Sequence, residues 1–315
     1  MISGLSQRDE PVELAGVLDT NRARASAVAS EFKTQVFAAL EELAGRVDAA
    51  CVAVPTSEHL RVARSLMEMG IDVLIEKPLA PTLSEADELI AIATRTGRTA
   101  QVGHLERFNP AVRACAPLVT TPMFFEVHRL SVFTPRSLDI DVVLDLMIHD
   151  LDIVLSFVGS SLKEVRAVGL PILTPKVDIA NVRLEFESGC VANLTASRVS
   201  TERVRKLRFF QPRQYISVDY SRQDVLVFSV DPHARASAEI QPAVTASPNP
   251  GIGVQKPRVV NEEPLEAELR AFIDSVRKRS EPVVTLEDGR RALAAALEIL
   301  AEIHAHTQRI NLATV

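Results

Sequence analysis

A lysine and an acid–histidine pair are the residues of this sequence whose types and positions can do chemistry. Lys77 stands in the tripeptide "EKP", directly after the apolar stretch "IDVLI". Asp145 and His149 are four residues apart in "DLMIHDLD", a spacing that places both on one face of a helix. A lysine at the end of a buried strand can hydrogen-bond a reacting oxygen, and a carboxylate raises the basicity of a neighbouring imidazole. Each feature alone is typical of a surface lysine or of a structurally paired histidine, so the prediction of catalysis depends on their combination.

Two further sets of polar residues follow predicted strands and are candidates for binding a nucleotide. Asp19 ends the apolar run "ELAGVLD", where the acid of a dinucleotide-binding unit hydrogen-bonds the adenosine ribose. The stretch "AVPTSEH", residues 53–59, ends a strand in a Pro-Thr-Ser turn before a helix N-terminus, which offers free amides to a phosphate or ribose. In this turn His59 is equally compatible with facing a cofactor or capping the helix, and capping is the simpler role for Ser57.

The elements around these residues predict an α/β chain. Through about the first hundred residues apolar strands alternate with helices, which is typical of a parallel sheet covered on both faces. A helix is predicted after Asp19, a second over "FAALEELAGRV", and a third over "TLSEADELIAIATRTG", with a capping box from Thr82 to Glu85 and a closing Gly97. Ligands of such sheets bind at the carboxyl ends of the strands.

A second domain is predicted after residue 118, so that the domains are 1–118 and 119–315. A long apolar helix over "DVVLDLMIHDLDIVLSFVG" and a series of alternating strands predict an α+β domain with one helix on an open, largely antiparallel sheet. The stretch from Asp231 to about Arg258, rich in Pro, Ala and Ser, is predicted to be a loop. Two amphipathic helices follow it.

Composition excludes several classes of function. A chain of 315 residues with a formal net charge of -6 favours two domains and disfavours nucleic-acid or anionic-membrane partners. It has neither an apolar stretch of the roughly 18 residues that a membrane helix needs nor a signal-peptide pattern. Cys51, Cys115 and Cys190 are widely spaced among apolar residues, so we predict reduced packing thiols in a cytoplasmic protein, without a metal site.

Longer segments of the sequence resemble the glucose-fructose oxidoreductase / inositol dehydrogenase / MocA family of NAD(P)-dependent sugar oxidoreductases. From about Leu14 onward the matching segments are "GVLDTNRARASAVASEF", "AVPTSEH", "VLIEKPLAPTLSEADELI", "QVGHLERFNPAV" and "VVLDLMIHDLDIV". The resemblance implies a Rossmann domain followed by a domain whose open sheet pairs subunits into a homodimer or homotetramer. It also implies an enzyme that transfers a hydride between a secondary hydroxyl of a sugar and the nicotinamide.

The same resemblance implies roles for individual residues. Lys77 would polarise the substrate hydroxyl, His149 would take its proton as general base, and Asp145 would orient the histidine or relay through it. An acid at Asp19 favours NAD over NADP, whereas Arg22 and Arg24 leave NADP open. The residues predicted to bind the cofactor are Asp19, Thr20, Arg22, Pro55, Thr56, His59, Glu76, Lys77 and Arg107, and those predicted to bind the substrate are Asn109, Arg129 and Arg136.

Cations in "SRVSTERVRKLRFFQ" bear on the substrate. On a strand, Arg203 and Arg205 share one face while Lys206 and Arg208 share the other, and one such face could hold a diphosphate. The alternative is a charged edge or subunit contact. The phrases "ERFNPA" and "LMIHDLDI" also resemble the branch that oxidises UDP-N-acetylglucosamine at its 3-hydroxyl. We therefore predict a nucleotide-linked amino sugar as substrate, with a free cyclitol or aldose as the alternative.

The start of the sequence departs from this family. The family begins with a strand, a glycine-rich turn and a helix, whereas "MISGLSQRDEPV" holds one glycine, Gly4, and no apolar strand. Loss of that strand would remove the pyrophosphate site and expose two strand edges. We expect that the chain starts late, for instance at an internal methionine. The alternative is a non-catalytic binding or assembly protein of the same fold that no longer binds NAD.

Overall fold

The computed structural model describes residues 12–135, 139–230, 240–242 and 253–309. Their contacts divide the chain into two compact units. The first unit consists of the residues up to His104 and of Leu265–Arg290. The second consists of Leu105–Pro264 and the residues from Arg291 onward. This division differs from the predicted boundary after residue 118 in two ways, since the first unit ends at His104 and also contains a helix from the C-terminal part of the chain.

The first unit alternates strands and helices as predicted. Its elements are β1 (Gly16–Val17), α1 (Arg22–Phe32), β2 (Gln35–Val36), β3 (Ala49–Val52), α2 (His59–Glu68), β4 (Asp72–Glu76), α3 (Leu83–Thr96), β5 (Ala100–Gly103) and, from the C-terminal part of the chain, α6 (Pro264–Lys278). All pairings between these strands are parallel. The prediction of a Rossmann-like parallel sheet is confirmed.

The parallel strands form two separate sheets, β1–β2 and β3–β4–β5. In a doubly wound sheet of order 3-2-1-4-5-6, the first strand lies between the second and the fourth. The five strands correspond to the second to sixth of that order. The sheet is therefore divided where its first strand would pair, and the described residues contribute no strand at that position.

The sequence signals for helices predicted the ends of α3 correctly, but they predicted a second helix that does not form. At the start of α3 the Thr82 hydroxyl accepts a hydrogen bond from the Glu85 backbone N–H at 3.3 Å, and Gly97 ends the helix at φ 63°. The helix predicted over "FAALEELAGRV" is wrong, since this segment forms only a 3-10 turn, Leu40–Leu43. Leu43 is the single buried residue of that turn, and one buried side chain provides no apolar face on which a helix can pack.

Helix α6 contacts the β3–β4–β5 sheet through one buried face. Its residues Glu268, Phe272 and Ser275 are buried, at the spacing of one helix face. The Glu268 carbonyl accepts a hydrogen bond from Gln101 Nε2 at 3.4 Å, which ties this helix face to β5. The first unit is thus completed by a helix that is remote in sequence.

The second unit is built on a nine-stranded sheet. Its elements are α4 (Pro110–Cys115), β6 (Phe124–Val132), a π-helical turn (Val143–Met147), α5 (Ile148–Val158), β7 (Leu162–Leu170), β8 (Ile179–Phe186), β9 (Val191–Ser200), β10 (Val204–Gln211), β11 (Gln214–Asp219), β12 (Asp224–Ser229), β13 (Ile240–Pro242), β14 (Gly253–Pro257) and α7 (Leu286–Arg309), which begins in the first unit. The strand order is β13-β14-β12-β11-β10-β6-β9-β8-β7. Among the described strands of this sheet, β6 and β9 pair in parallel and the other neighbours pair antiparallel, so the largely antiparallel sheet is confirmed.

Two sequence expectations for this unit are corrected. The segment predicted as a loop up to about Arg258 contains β14, because pairing with β12 gives an otherwise featureless stretch its backbone partners. The inner face of the sheet is covered by three helices rather than one, since Val112 of α4, Ile153 of α5 and Ile299 of α7 share one core with Phe209 of β10. Full burial of each such side chain stabilises the fold by roughly 1.5–3 kcal/mol.

Candidate active site

Lys77 directly follows β4, at the carboxyl end of a buried parallel strand. Val73, Leu74 and Ile75 of this strand are buried, which explains its continuous apolar sequence. The Lys77–Pro78 peptide bond is cis, and Lys77 itself is partly buried. The strand therefore brings an amine to the edge at which parallel sheets bind ligands.

Glu76 lies next to this lysine, partly buried. Burial raises the pKa of the Glu76 carboxyl, while the Lys77 backbone N–H, the Lys77 charge and His59 lower it in part. Gly103 stands opposite Glu76 in the register of β4 and β5, and a Cβ at Gly103 would lie 3.1 Å from Glu76 Oε2. The absence of a side chain at Gly103 thus gives the carboxylate its space.

Glu268 on α6 is a buried acid that was not among the predicted site residues. It is 1% exposed, and its Oε1 has no hydrogen-bond partner among the described residues. Burial, and secondly the nearby Glu76, raise the pKa of Glu268 to about 8. The signal that could have found it is a glutamate at an apolar-face position of an amphipathic helix, in line with Phe272 and Ser275.

His59 connects the ends of two strands. Its ring is 1% exposed, with Nε2 3.0 Å from the carbonyl oxygen of Val54 and Nδ1 3.2 Å from that of Leu79. These contacts join the segment after β3 to the segment after β4. This geometry favours a positioning role for His59 over a direct contact with a cofactor.

The turn between β3 and α2 keeps two predicted residues accessible. Pro55 is exposed and Thr56 is partly buried, at the start of the 3-10 turn Thr56–Glu58. Helix α2 begins without a side-chain cap, so Ser57 does not cap it as its position suggested. Pro55 and Thr56 remain at the carboxyl end of β3, available to a ligand.

Asp19 follows β1 at the N-terminus of α1. Its carboxylate accepts hydrogen bonds from Arg24 Nε at 2.6 Å, Arg24 Nη2 at 2.9 Å and the Asn21 backbone N–H at 2.8 Å. The Arg24 side chain, followed by the Asn21 N–H, lowers the pKa of Asp19. Thr20 and Arg22 are exposed beside it. The site thus presents an ionised, oriented carboxylate of the kind that ribose hydroxyls require.

Asp145 and His149 lie in one short segment of the second unit. Asp145 is in the π-helical turn Val143–Met147, and His149 is in the first turn of α5. The sequence predicted a single regular helix, and the structure replaces its beginning with this wider turn. Single π-helical turns are frequent at functional sites. Both side chains are partly buried.

Arg129, a predicted substrate residue, belongs to a buried charge network. Its side chain is 3% exposed, donates to both Asp150 oxygens at 2.6 and 2.9 Å, and donates to Glu106 Oε1 at 3.0 Å. Burial lowers the pKa of Arg129, but the carboxylates of Asp150 and Glu106 together raise it by more, so the guanidinium stays charged. Asp150 directly follows His149, and we therefore interpret Arg129 as holding the His149 segment rather than touching substrate.

The remaining predicted residues of this unit are also held by neighbours. Arg107 donates to both Asp152 oxygens, at 2.6 and 2.9 Å. Asn109 caps α4 through the Ala111 N–H at 3.1 Å and donates to Glu106 Oε2 at 3.0 Å. Their predicted contacts with cofactor and substrate stay predictions. Arg136 lies outside the described residues.

Several other features bear on the class of chemistry. Within the described ranges, no group of three or more His, Cys, Asp or Glu side chains is arranged to hold a metal ion. The three cysteines are free, and burial raises the pKa of Cys115 to about 12 and of Cys190 to about 11, so these thiols are protonated packing groups. No described helix is both long and apolar enough to cross a membrane.

Comparison with known proteins places both units in one family. Residues 2–104 match the family model described as an oxidoreductase family with an NAD-binding Rossmann fold. Residues 124–216 match the model of the GFO/IDH/MocA C-terminal domain.

Individual relatives agree with these matches. The chain is 36% identical over 298 residues to the UDP-N-acetylglucosamine 3-dehydrogenase of Acidithiobacillus ferrooxidans, covering 94% of this chain and 92% of that relative. It is 29% identical over 169 residues to the scyllo-inositol 2-dehydrogenase (NAD(+)) of Bacillus subtilis, covering 49% of each chain. The solved structure of UDP-N-acetylglucosamine 3-dehydrogenase GnnA from Acidithiobacillus ferrooxidans matches with a TM-score of 0.85 and 36% identity, over 92% of this chain and 90% of that one.

Proposed function

Since this chain belongs to the GFO/IDH/MocA family of oxidoreductases with an NAD-binding Rossmann fold, we propose that it transfers a hydride between a secondary hydroxyl of a sugar and a nicotinamide cofactor. One observation carries the proposal: Lys77 stands at the carboxyl end of β4, where the parallel sheet of such a fold presents groups to its ligand. The Asp145–His149 segment of the second unit supplies the base that this chemistry needs.

The proposed substrate is a nucleotide-linked amino sugar. Support comes from the UDP-N-acetylglucosamine 3-dehydrogenase relative, whose likeness extends over nearly the whole chain. A free cyclitol or aldose is the second candidate, favoured by the likeness to the scyllo-inositol 2-dehydrogenase over about half of the chain. The two candidates differ in charge, because only the nucleotide-linked sugar carries a diphosphate.

The proposed cofactor is NAD. Asp19 presents an ionised carboxylate that fits the ribose hydroxyls and would repel the additional phosphate of NADP. The neighbouring cations of α1 leave NADP as the alternative. The proposed cofactor contacts of the first unit are Asp19, Thr20, Arg22, Pro55, Thr56, Glu76 and Lys77, with His59 positioning the two strand ends.

The catalytic roles follow from the chemistry of each side chain. Lys77 Nζ donates a hydrogen bond to the substrate oxygen and stabilises the negative charge that develops there. The His149 imidazole accepts the hydroxyl proton, and the Asp145 carboxylate orients the ring and stabilises its charged form. When bound, the nicotinamide accepts the hydride that leaves the carbon bearing this hydroxyl.

We also propose that the outer face of the nine-stranded sheet joins two copies of the chain into a homodimer or a homotetramer. Phe124, Phe210, Tyr215 and Phe228 form a row across β6, β10, β11 and β12, with successive ring centroids 5.6, 5.0 and 5.4 Å apart. These side chains alternate with the buried residues of the inner face, and Phe210 is 37% exposed. An aromatic row of this kind is an apolar surface suited to a partner.

The proposed function is tested by turnover. The purified protein, both as this chain and extended at its N-terminus to the nearest upstream start, is incubated with NAD and UDP-N-acetylglucosamine, or with NAD and inositol, and NADH is followed by its absorbance. We expect NADH with the nucleotide sugar. Lys77→Ala and His149→Ala should each lower kcat by at least about a hundredfold, because each removes a group that acts in the transition state.

Two controls keep this test specific. Thermal melting shows whether each variant is folded, and Arg166→Ala, a surface change on the edge strand β7, should leave turnover unchanged. Unchanged turnover in the folded Lys77→Ala variant would contradict the proposal that Lys77 hydrogen-bonds the substrate oxygen. An extended protein that oxidises no sugar with either NAD or NADP would support the non-catalytic binding or assembly protein instead.

A further inference from the structure

The cations of β10 differ in their surroundings according to the face of the sheet. Lys206 and Arg208 lie on the outer face and have acidic partners there. Lys206 Nζ is 3.9 Å from Asp219 Oδ2, and Arg208 Nη1 donates to Glu126 Oε2 at 3.0 Å. The charges of these two residues are thus compensated within the sheet, which fits a charged surface better than a ligand site.

Arg205 lies on the inner face instead. It stands directly opposite Arg129 in the register of β10 and β6, and the next residues on its side of β10, Leu207 and Phe209, are buried. Arg205 is itself partly buried. The strand therefore places a second guanidinium beside one that is already part of a buried network.

The Arg205 side chain forms no hydrogen bond or ion pair with any described residue. Burial and the neighbouring Arg129 charge lower the pKa of Arg205, and Glu106 raises it in part. The two carboxylates nearby already accept hydrogen bonds from Arg129. A partly buried guanidinium without a direct anionic partner is stabilised by binding an anion.

We propose that Arg205, together with Arg203, binds the diphosphate of a nucleotide-linked sugar. Arg203 is exposed and directly precedes β10, and its charge acts on Arg205 two residues later, so the two guanidiniums are carried by neighbouring positions of the chain. Their proximity lets each one bond a different phosphate group. The inference deepens the proposed function and rests on it, since it names the part of the substrate that the second unit recognises.

The position of Arg205 relative to the candidate base supports this assignment. Arg205 faces Arg129 across the strand pair, and Arg129 bonds both oxygens of Asp150, the residue after His149. A diphosphate on Arg205 would therefore lie in the same region of the second unit as the base. A free cyclitol or aldose has no group for this site, so Arg205 would also determine which substrates are accepted.

The test is binding of UDP and of UDP-N-acetylglucosamine to the full chain, measured by calorimetry in the presence of NAD. We expect Arg205→Ala to raise the Kd of both ligands about 10- to 100-fold, the range for a charge-assisted hydrogen-bonded contact. Arg203→Ala, an exposed position, should raise it by a smaller factor. Arg205→Lys should lie between wild type and Arg205→Ala, because lysine retains the charge but not the planar fork. Arg166→Ala is the matched control and should bind like wild type.

The outcomes separate this inference from the proposed function. UDP affinity that is equal in folded Arg205→Ala, folded Arg203→Ala and wild type would overturn the diphosphate site, even if UDP-N-acetylglucosamine is oxidised. UDP binding that is weakened by Arg205→Ala in a protein without any dehydrogenase activity would support the site and overturn the proposed function. A wild-type protein that binds neither ligand but oxidises inositol overturns both the site and the nucleotide-sugar substrate.

Discussion

The two compact units bury carboxyl groups in opposite ways. In the first unit Glu268 is buried beside another acid, Glu76, and its Oε1 has no partner among the described residues. In the second unit the buried acids Glu106 and Asp150 both accept hydrogen bonds from the guanidinium of Arg129. A buried carboxyl needs either a proton or a cation to offset its lost hydration, and each unit uses one of the two.

This difference has consequences for the candidate catalytic groups. Glu76 directly precedes Lys77, and the Glu76 charge raises the pKa of the buried Glu268, so ionisation of Glu268 places a second negative charge near Glu76. The Arg129 network lies next to His149, and the charges of Asp150 and Glu106 raise the pKa of Arg129, so its guanidinium stays charged. The first unit is therefore expected to respond to pH, and the second to the loss of one cation.

The largest expected effect is that of removing the cation from the second unit. Arg129→Met should lower the free energy of unfolding by about 3–5 kcal/mol, because it leaves two buried carboxylates without their counterion. Urea denaturation measures the loss. Arg166→Met, which breaks an exposed pair with Glu164, is the control and should cause no measurable change. A loss in Arg129→Met no larger than in this control would show that the buried network does not depend on its arginine.

The second effect concerns pH and the buried acid of the first unit. Because burial raises the pKa of Glu268 from 4.5 to about 8, the native state holds a proton that the unfolded state has released between these pH values. Its contribution to stability is therefore fully present below pH 4.5 and declines as the pH rises towards 8. Glu268→Gln removes this titration, so the variant should become more stable than wild type by about 3 kcal/mol as the pH rises from 5 to 8.

The measurement is a series of urea denaturations at pH 5 to 8.5 on wild type and Glu268→Gln. Glu31→Gln, a change on the exposed surface of α1, is the matched control and should follow the wild-type curve. Parallel curves for wild type and Glu268→Gln would mean that Glu268 does not retain its proton in the folded state, and the contrast between the units would then be lost.

The smallest expected change in the free energy of unfolding is that of filling the space beside Glu76 with a methyl group at position 103. Gly103→Ala would place a Cβ 3.1 Å from Glu76 Oε2 and 3.2 Å from Glu76 Cα, so the end of β4 has to shift. We expect a loss of about 1–2 kcal/mol and, because Lys77 follows on the same strand, a decrease in kcat of about tenfold. Gly97→Ala is the matched control: it strains a residue with φ 63° in the first unit, and should cost similar stability without changing kcat. Equal turnover in the two variants would argue against a role for the end of β4.

Local patterns in the sequence predicted much of the first unit. Continuous apolar runs indicated β3, β4 and β5, and the capping box and Gly97 set the ends of α3, because these signals act over a few neighbouring residues. The same locality placed Lys77 at a strand end. The local signal was misleading over "FAALEELAGRV", where a helix-forming composition had no apolar face to pack.

The site residues also differ in whether local sequence patterns could predict their surroundings. Lys77, Asp145 and His149 were recognised from short motifs and are found where a strand ends and a helix begins. Arg129 was expected at the substrate and is instead surrounded by carboxylates, because its partners come from other segments of the chain. Glu268 was not predicted at all. The residue that donates a hydrogen bond to its carbonyl, Gln101, is 167 residues away in sequence, so no local pattern connects the two.

The sequence by itself determined the class of the fold, the family and the residue types able to transfer a proton, because strand periodicity, helix caps and short motifs depend on neighbouring residues. The tertiary structure alone decided that α6 completes the first unit, that Arg129 is buried and that the Arg205 side chain has no hydrogen-bond partner within the part of the chain that the structure describes. Burial, charge compensation and sheet register arise between segments distant in sequence. A side chain's type is therefore encoded locally, whereas its protonation and its partner are set only by packing.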